Sequence, residues 1–389
     1  MSFFLISFLS LYGGLHVYSF FRLRGLFTPG QPAIALLAWW MILMTTAPLL
    51  VRLSERAGMD RCALFIAWPG YLWMGFIFIF VSTLLLMDTI RVASWLSNRL
   101  FSTSTPSFLT SRITCEIALL VAVAASCYAC YEAWHIRSEH VVITTTKLPP
   151  NIQKIRIVQV SDIHIGLLFN EKRLERIMKV VRNAKPDIFV STGDLVDGKL
   201  NREDDHAHMD KLAAMLASIP STSGRFAVTG NHEFYAGLQQ ALAFTNAAGF
   251  TVLRNQSIHL PTGITITGVD DPAISGDEKE VEISEQTLMK SVSKDSFHLL
   301  LKHRPDISEG SDGRFDLQLS GHVHDGQIFP FNFLVKLRYP IPCGTTITKS
   351  GSRIHVSRGT GTWGPPMRLF APPEVTVIDI VSQHSSKRQ

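Results

Sequence analysis

The feature that most restricts this chain is a set of four nearly unbroken apolar stretches before residue 135: about Phe3 to Phe21, Ala33 to Val51, Ala63 to Met87 and Ile113 to Trp134. Each is close to the roughly 20 residues a helix needs to cross a hydrocarbon layer, where backbone groups find no water to bond. A core helix of a soluble protein shows one apolar stripe, whereas these are apolar all round. The expectation is an N-terminal four-helix transmembrane segment over residues 1–135. Trp68, Tyr71 and Trp73 stand toward the start of the third stretch, where interfacial aromatics collect. No basic residue precedes the first stretch, so it reads as a retained span rather than a cleaved signal.

The connections carry Arg22 and Arg24, then Arg52, Arg56 and Arg61, then Arg91, Arg99 and Arg112, and read as loops. Four spans put the N-terminus and the polar half on one side of the membrane, and the count of basic residues on the two sides, with Arg137 and Lys147 included, does not choose which. Only His16 and Glu116 are ionisable within the stretches, which is poor support for a transport path. Of the five cysteines, only Cys343 lies outside the apolar half, so a disulfide framework is not expected. Cys127 and Cys130 form a C-x-x-C inside an apolar run, without the second pair or strand that a zinc or redox site needs. A net charge of +5 is spread without a dense basic run. This argues against nucleic acid and for anionic substrates or lipid surfaces. An integral, multi-pass membrane protein in contact with membrane lipids follows, in the inner membrane if the source is bacterial.

From residue 136 to 389 the pattern changes to short β-rich runs alternating with amphipathic helices, the mark of a layered α/β domain. Strands are expected at Ile155–Val160, Ile188–Val190, Arg225–Val228, Phe297–Leu301, Asp316–Leu319 and Val375–Ile380, with helices near Glu171–Asn183 and His206–Ser218. Five strands end in residues that bind metals: Asp162 and His164, Asp194 and Asp197, Asn231 to Glu233, His303, and His322 and His324. Strand ends in an open sheet converge on one edge, so such residues point into a common crevice. The spacing of two in each D-x-H or H-x-H pair puts both side chains on one face of an extended segment. Gly193, Gly230 and Gly321 are expected to let the backbone turn sharply before each group. Seven carboxylate, amide and imidazole ligands suit two ions of the Mn, Fe or Zn type, with Asp194 shared, rather than Ca or Mg.

In order, D-x-H, G-D-x-x-D, G-N-H-E, a lone histidine and G-H-x-H resemble the calcineurin-like metallophosphoesterase superfamily from about residue 140 to 381. SDIHIG, the H-x-H-x-G-Q-I from His322 and the SRGTGTWGPPMRLFAPPE tail are similar to its membrane-anchored YkuE/YaeI-like phosphodiesterase branch. The resemblance implies a four-layer α/β/β/α sandwich and two divalent metal ions. Asp162, His164, Asp194 and His324 would hold one ion, and Asp194, Asn231, His303 and His322 the other. His232 would be catalytic, protonating the leaving oxygen, with Asp197 supporting from behind. A hydroxide bridging the ions would hydrolyse a phosphate ester or anhydride, with a lipid-linked phosphodiester or pyrophosphate the attractive substrate. A phosphomonoesterase, or a membrane sensor or scaffold, is the alternative. Glu233 departs mildly from the frequent Asp, and Asp325 adds a charge where the branch often has Gly. His206, His208, His259, His298 and His355 lie outside the motifs and read as structural or surface residues. Gln327, Arg358 and Arg368 are candidates for the substrate phosphate, and Gly359 to Pro373 for a rim loop.

Overall fold

A computed structural model describes residues 2–28, 30–102, 111–198, 206–273, 285–290, 292–293, 295–341 and 343–383. The chain divides into two compact units: residues 1–131 with 328–330 and 364–369, and the remainder.

The first unit holds helices α1 (Ser2–Leu23), α2 (Pro32–Arg56), α3 (Asp60–Phe101) and most of α4 (Ser111–Trp134). Among the described residues, α2, α3 and Arg112–Trp134 are long and apolar enough to cross a membrane. The first expected span, about Phe3 to Phe21, folds as α1. The third differs most from expectation. Helix α3 runs for 42 residues, about 63 Å at 1.5 Å per residue, roughly twice a hydrocarbon layer. Arg91 and Arg99 therefore lie on a helix and not in a loop. Continuation is favoured by the Asp88–Arg91 pair one turn apart at 3.3 Å, and the helix stops where Ser102 turns left-handed at φ 54°.

Asp88 falls just past the stretch the sequence marked. Its carboxylate accepts from Tyr18 Oη at 2.6 Å and from Arg22 at 3.0 Å, while Arg22 also donates to Thr114 Oγ1 at 3.0 Å. One polar knot thus ties α1, α3 and α4. His16 is structural: Trp73 donates to its Nε2 at 2.9 Å, so Nδ1 carries the proton and donates to the Tyr12 carbonyl at 2.8 Å. Small residues bring α2 and α3 together, for a Cβ on Gly70 would sit 3.0 Å from that of Ala47. Ile328, Met367 and Leu369, far along the chain, complete this unit's core with Ile77, Phe80 and Leu84.

Among the described residues, the second unit is built on two six-stranded sheets. The first contains β1 (Arg137–Thr145), β2 (Lys154–Val160), β3 (Ile188–Ser191), β4 (Arg225–Ala227), β5 (Thr251–Val252) and β12 (Glu374–Ser382), in the order β1-β12-β2-β3-β4-β5. The second contains β6 (Gln256–His259), β7 (Ile264–Gly268), β8 (Phe297–Leu301), β9 (Leu317–Ser320), β10 (Gly344–Ile347) and β11 (Arg353–Val356), in the order β10-β11-β9-β8-β7-β6. Side chains alternate along each strand. Ile155 and Ile157 of β2 meet Leu299, Leu317 and Leu319 of the other sheet in one core. Val158 and Val160 join a second core with α5 (Glu171–Ala184), α6 (His206–Ala217) and α8 (Leu238–Ala247). Helix α5 forms because Leu174, Ile177, Met178 and Val181 recur on one face and the Asn170 side chain caps the Arg173 N–H at 3.0 Å. Short helices α7 (Asn231–Ala236), α9 (Glu285–Lys290) and α10 (Phe331–Arg338) complete the unit.

Strands β2, β3 and β4 are mutually parallel, as are β7, β8 and β9, so the carboxyl ends in each set share an edge. Gln159 joins the two sheets there, its amide donating to Thr192 Oγ1 at 2.9 Å and to the Ser320 carbonyl at 3.0 Å.

Candidate metal centre

The segments after β2, β3, β4, β8 and β9 bring the expected residues together. Asp162, His164 and His324 offer donor atoms within 4.8 Å of one another, and so do Asp194, His303 and His322. His164 Nε2 and His324 Nε2 are 3.1 Å apart, as are His322 Nδ1 and His303 Nε2. Asp194 Oδ2 faces both groups, 3.2 Å from His303 Nε2 and 3.9 Å from His164 Nε2. Among the expected ligand residues, Asn231 Oδ1 and His164 Nδ1 are buried and make no hydrogen bond within the protein.

The backbone that presents these groups is not extended. Asp162, His164, Asp194, His322 and His324 all have φ between 50° and 70°, the left-handed region. The expectation of an extended D-x-H and H-x-H is therefore corrected: two left-handed residues flanking a third aim both side chains into the cage. Such conformations cost about 1–3 kcal/mol each and persist where neighbours over-determine them. Here Asp162 N–H donates to the Gly193 carbonyl, His164 N–H to the Asp194 carbonyl and Gly361 N–H to the Asp162 carbonyl, at 2.9–3.0 Å. The glycines also act differently from expectation. Only Gly193 needs its freedom, at φ +92°. Gly230 and Gly321 are required for space, since a Cβ would lie 2.2 Å from Asp194 Oδ1 in the first case and 1.9 Å from Ser161 Oγ in the second.

Burial and charge set the protonation pattern. Burial raises the Asp162 carboxyl to about 6. Burial would do the same to Asp194, but the charges of His303 and His232 hold it well below the carboxylate range. His303 is lowered by burial and raised further by Asp194 and Asp162, to about 10, and His232 reaches about 9 through Asp194 and Asp197 against the same burial. Burial and the neighbouring cations push His164 down to about 4 and His322 to about 3. Protons thus gather where positive charge is wanted, because the ion pairs of Asp162 and Asp194 are with histidines alone among the described residues. A cage of buried carboxylates, imidazole lone pairs and an unbonded amide oxygen fits divalent cations.

Around the cage are residues whose role the motifs did not state. Glu233 accepts backbone N–H groups from Gly230 at 2.6 Å, Leu195 at 2.8 Å and Asp194 at 3.0 Å, locking two ligand loops together. His232 N–H donates to Asp194 Oδ1 at 2.9 Å, and its Nδ1 meets Asp197 Oδ1 at 2.8 Å. His303 Nδ1 donates to the Thr192 carbonyl at 2.8 Å, leaving Nε2 for the cage. Tyr339 Oη lies 3.0 Å from His322 Nε2. The rings of Tyr235 and Trp363 stand edge-on to His232 at 5.5 and 5.6 Å, and both are more than half exposed. Tyr235 was detectable, three residues after His232 on one helix face; nothing local pointed to Tyr339 or Trp363.

Of the three phosphate-binding candidates, Arg358 and Gln327 are held by other partners and Arg368 lies buried. Arg358 pairs with Glu139 and with Glu374. Arg368 is fully buried and belongs with the helical unit, its backbone N–H bonded to the Ala129 carbonyl. Gln327 bonds the backbone of Trp363 with both ends of its amide, at 2.8 and 2.9 Å, and so pins the rim loop. Of the histidines outside the motifs, His298 and His355 are buried and bonded to Thr267 and Thr376.

Comparison with known proteins gives the family. The profile of the calcineurin-like phosphoesterase family matches residues 155–326. An uncharacterized metallophosphoesterase of Aquifex aeolicus is 38% identical over 67% of this chain and 98% of its own length. The uncharacterized metallophosphoesterase YkuE of Bacillus subtilis is 32% identical over 66% of this chain and 89% of its own. A transmembrane protein with metallophosphoesterase domain from Danio rerio is 30% identical over 61% of this chain, which spans 56% of that protein's length.

Proposed function

Because the chain belongs to the calcineurin-like metallophosphoesterases, hydrolases of phosphoesters, we propose that residues 136–389 form a catalytic domain that cleaves a phosphate ester or anhydride with two divalent ions. Asp162, His164, His324 and Asp194 hold one ion in this reading, and Asp194, Asn231, His303 and His322 the other. The observation that carries it is Asp194 Oδ2, one atom facing both histidine groups. When bound, ions of the Mn, Fe or Zn type would neutralise the phosphoryl oxygens and acidify a water.

The protein's own contribution begins with position. Left-handed ligand residues and the Glu233 clamp fix the donors before substrate arrives, so little reorganisation remains for the reaction. His232 is the general acid: Asp197 binds its Nδ1–H and keeps the ring cationic, leaving Nε2–H to protonate the leaving oxygen. Such assistance is worth about 100-fold or more. Trp363 and Tyr235 flank that ring and shield the leaving-group side.

The apolar helices support a multi-pass membrane region over residues 1–135, with α1 as a fourth span beside the three that meet the length and hydropathy requirement. The two sheets and the helical cores on them support the four-layer α/β/β/α arrangement. A site tethered to the bilayer favours a lipid-linked phosphodiester or pyrophosphate. The test uses purified full-length protein, its metal content and a panel of nitrophenyl esters, soluble nucleotides and lipid pyrophosphates. Asp194→Asn is expected to lose both turnover and metal, and full turnover in that variant would overturn the dinuclear reading. Exclusive hydrolysis of soluble substrates would overturn the lipid one.

A further inference from the structure

Helix α10 follows directly on Ile328–Pro330, residues that pack within the helical unit, and its own residues are distributed unusually. At about 100° per residue, Asn332, Val335 and Tyr339 share one face. Val335 and Tyr339 pack on the core of the catalytic unit with Val323 and Ile354, and Asn332 is half-buried. The opposite face carries Phe333, Leu334 and Leu337, which are 59%, 58% and 84% exposed. Such a face is expected on a core helix only if something apolar meets it. Lys336 projects on one side of this stripe and Arg338 on the other, both exposed, where their stems lie along apolar surface and their charges reach a polar layer.

We propose that α10 is an interfacial helix that lies in the headgroup region of a phospholipid bilayer, its stripe among the upper acyl carbons and Lys336 and Arg338 on lipid phosphates. The occupant is lipid rather than protein, for two reasons. The residues immediately before α10 belong to the unit whose helices are long and apolar enough to span a membrane, so α10 is joined to that unit without an intervening linker. The paired flanking cations complement the phosphodiester layer above the acyl chains. Tyr339, the residue after α10, bonds His322 at 3.0 Å. One two-turn helix therefore connects the lipid surface to a donor of the cage, and a substrate headgroup lifted from the bilayer would meet the site along it. The inference rests on the membrane reading of the apolar helices.

The test is a fluorescence measurement on the full chain. Leu337→Cys is made with the exposed Cys62 and Cys127 replaced by serine, labelled with bimane, and reconstituted into phosphatidylcholine–phosphatidylglycerol nanodiscs. Lipids bearing a nitroxide near the top of the acyl chain are expected to reduce its emission about twofold or more, with little effect of aqueous iodide. A label at Lys179→Cys, on the exposed face of α5, is expected to show the reverse. Replacing Lys336 and Arg338 with glutamine should weaken nitroxide quenching at residue 337. Iodide quenching at residue 337, or protection from both quenchers as in a contact between two copies, would overturn the inference while leaving the membrane reading intact. Failure of the chain to enter nanodiscs would sink both.

Discussion

Replacing Gly321 with alanine tests whether the cage geometry is what the enzyme needs. The residue is not in the left-handed region, so the added methyl brings no backbone strain. Its whole effect is contact: the Cβ would lie 1.9 Å from Ser161 Oγ and 2.2 Å from Asp162 Oδ2. Ordinary contacts begin near 3.4 Å, so these atoms must retreat by about 1 Å or more, or the loop carrying His322 and His324 must. Neither is free to do so. Asp162 Oδ2 is bonded by Ser161 Oγ at 2.5 Å and by the His322 N–H at 3.1 Å, and Ser161 is fully buried. Overpacking of this kind costs about 1–3 kcal/mol of stability. A displacement of about 1 Å at a reacting centre costs about 100-fold in rate. The assay is kcat on a nitrophenyl phosphodiester, with bound metal counted by elemental analysis and folding followed by circular dichroism. Gly25→Ala, with nothing within 4 Å of the added carbon, is the control. A folded Gly321→Ala enzyme with wild-type turnover and metal content would refute the reasoning.

Asp197→Asn should move the alkaline limb of kcat/KM to lower pH. The His232 value is raised to about 9, so the proton-donating form is full at neutral pH and lost as pH rises through that value, and removing the carboxylate lowers it; an unmoved limb would count against His232 as the acid. Asp379→Asn should cost about 1 kcal/mol near neutral pH, because the two-pronged bond from Arg156, at 2.7 and 2.8 Å, is partly exposed. The Arg156 bond lowers the Asp379 value, so this contribution is present above the unfolded value of 3.8 and lost as pH falls through the folded one. Urea unfolding should show the gap between wild type and variant closing in acid, and a gap independent of pH would exclude the pair as its source. Chelation should abolish turnover and lower the thermal midpoint, both recovering with Mn or Zn, since the like charges of Asp162 and Asp194 would lose their counterions; an unchanged midpoint would show that the cage folds without them.

Residue type at strand ends carried the site into view: Asp162, His164, Asp194, Asn231, His303, His322 and His324 are polar groups following β-rich runs, and no packing role accounts for that pattern. Their conformation was hidden. Left-handed φ is common for glycine and scarce for histidine, and it is imposed here by bonds from Gly193, Asp194 and Gly361, segments remote in sequence. Distance along the chain explains the other differences. Arg358 has the right chemistry for phosphate, but its partner Glu139 lies more than 200 residues earlier, beyond any local pattern, and Arg368 is buried where its backbone meets the equally distant Ala129. The length of α3 was missed because hydropathy stops at Met87, whereas helix propensity does not.

The position of β12 has a consequence for how the molecule is made. It lies between β1 and β2, pairing parallel with the first and antiparallel with the second. Its residues leave the ribosome roughly 230 positions after β1, a separation at which loop closure is slow. During translation β1 and β2 therefore wait, with a gap of one strand between them, while everything in between emerges. A chaperone that covers those two edges, or a pause late in synthesis, would decide how much active protein a cell recovers, and a stop codon a few residues before Glu374 should yield an aggregating chain rather than a weakened enzyme.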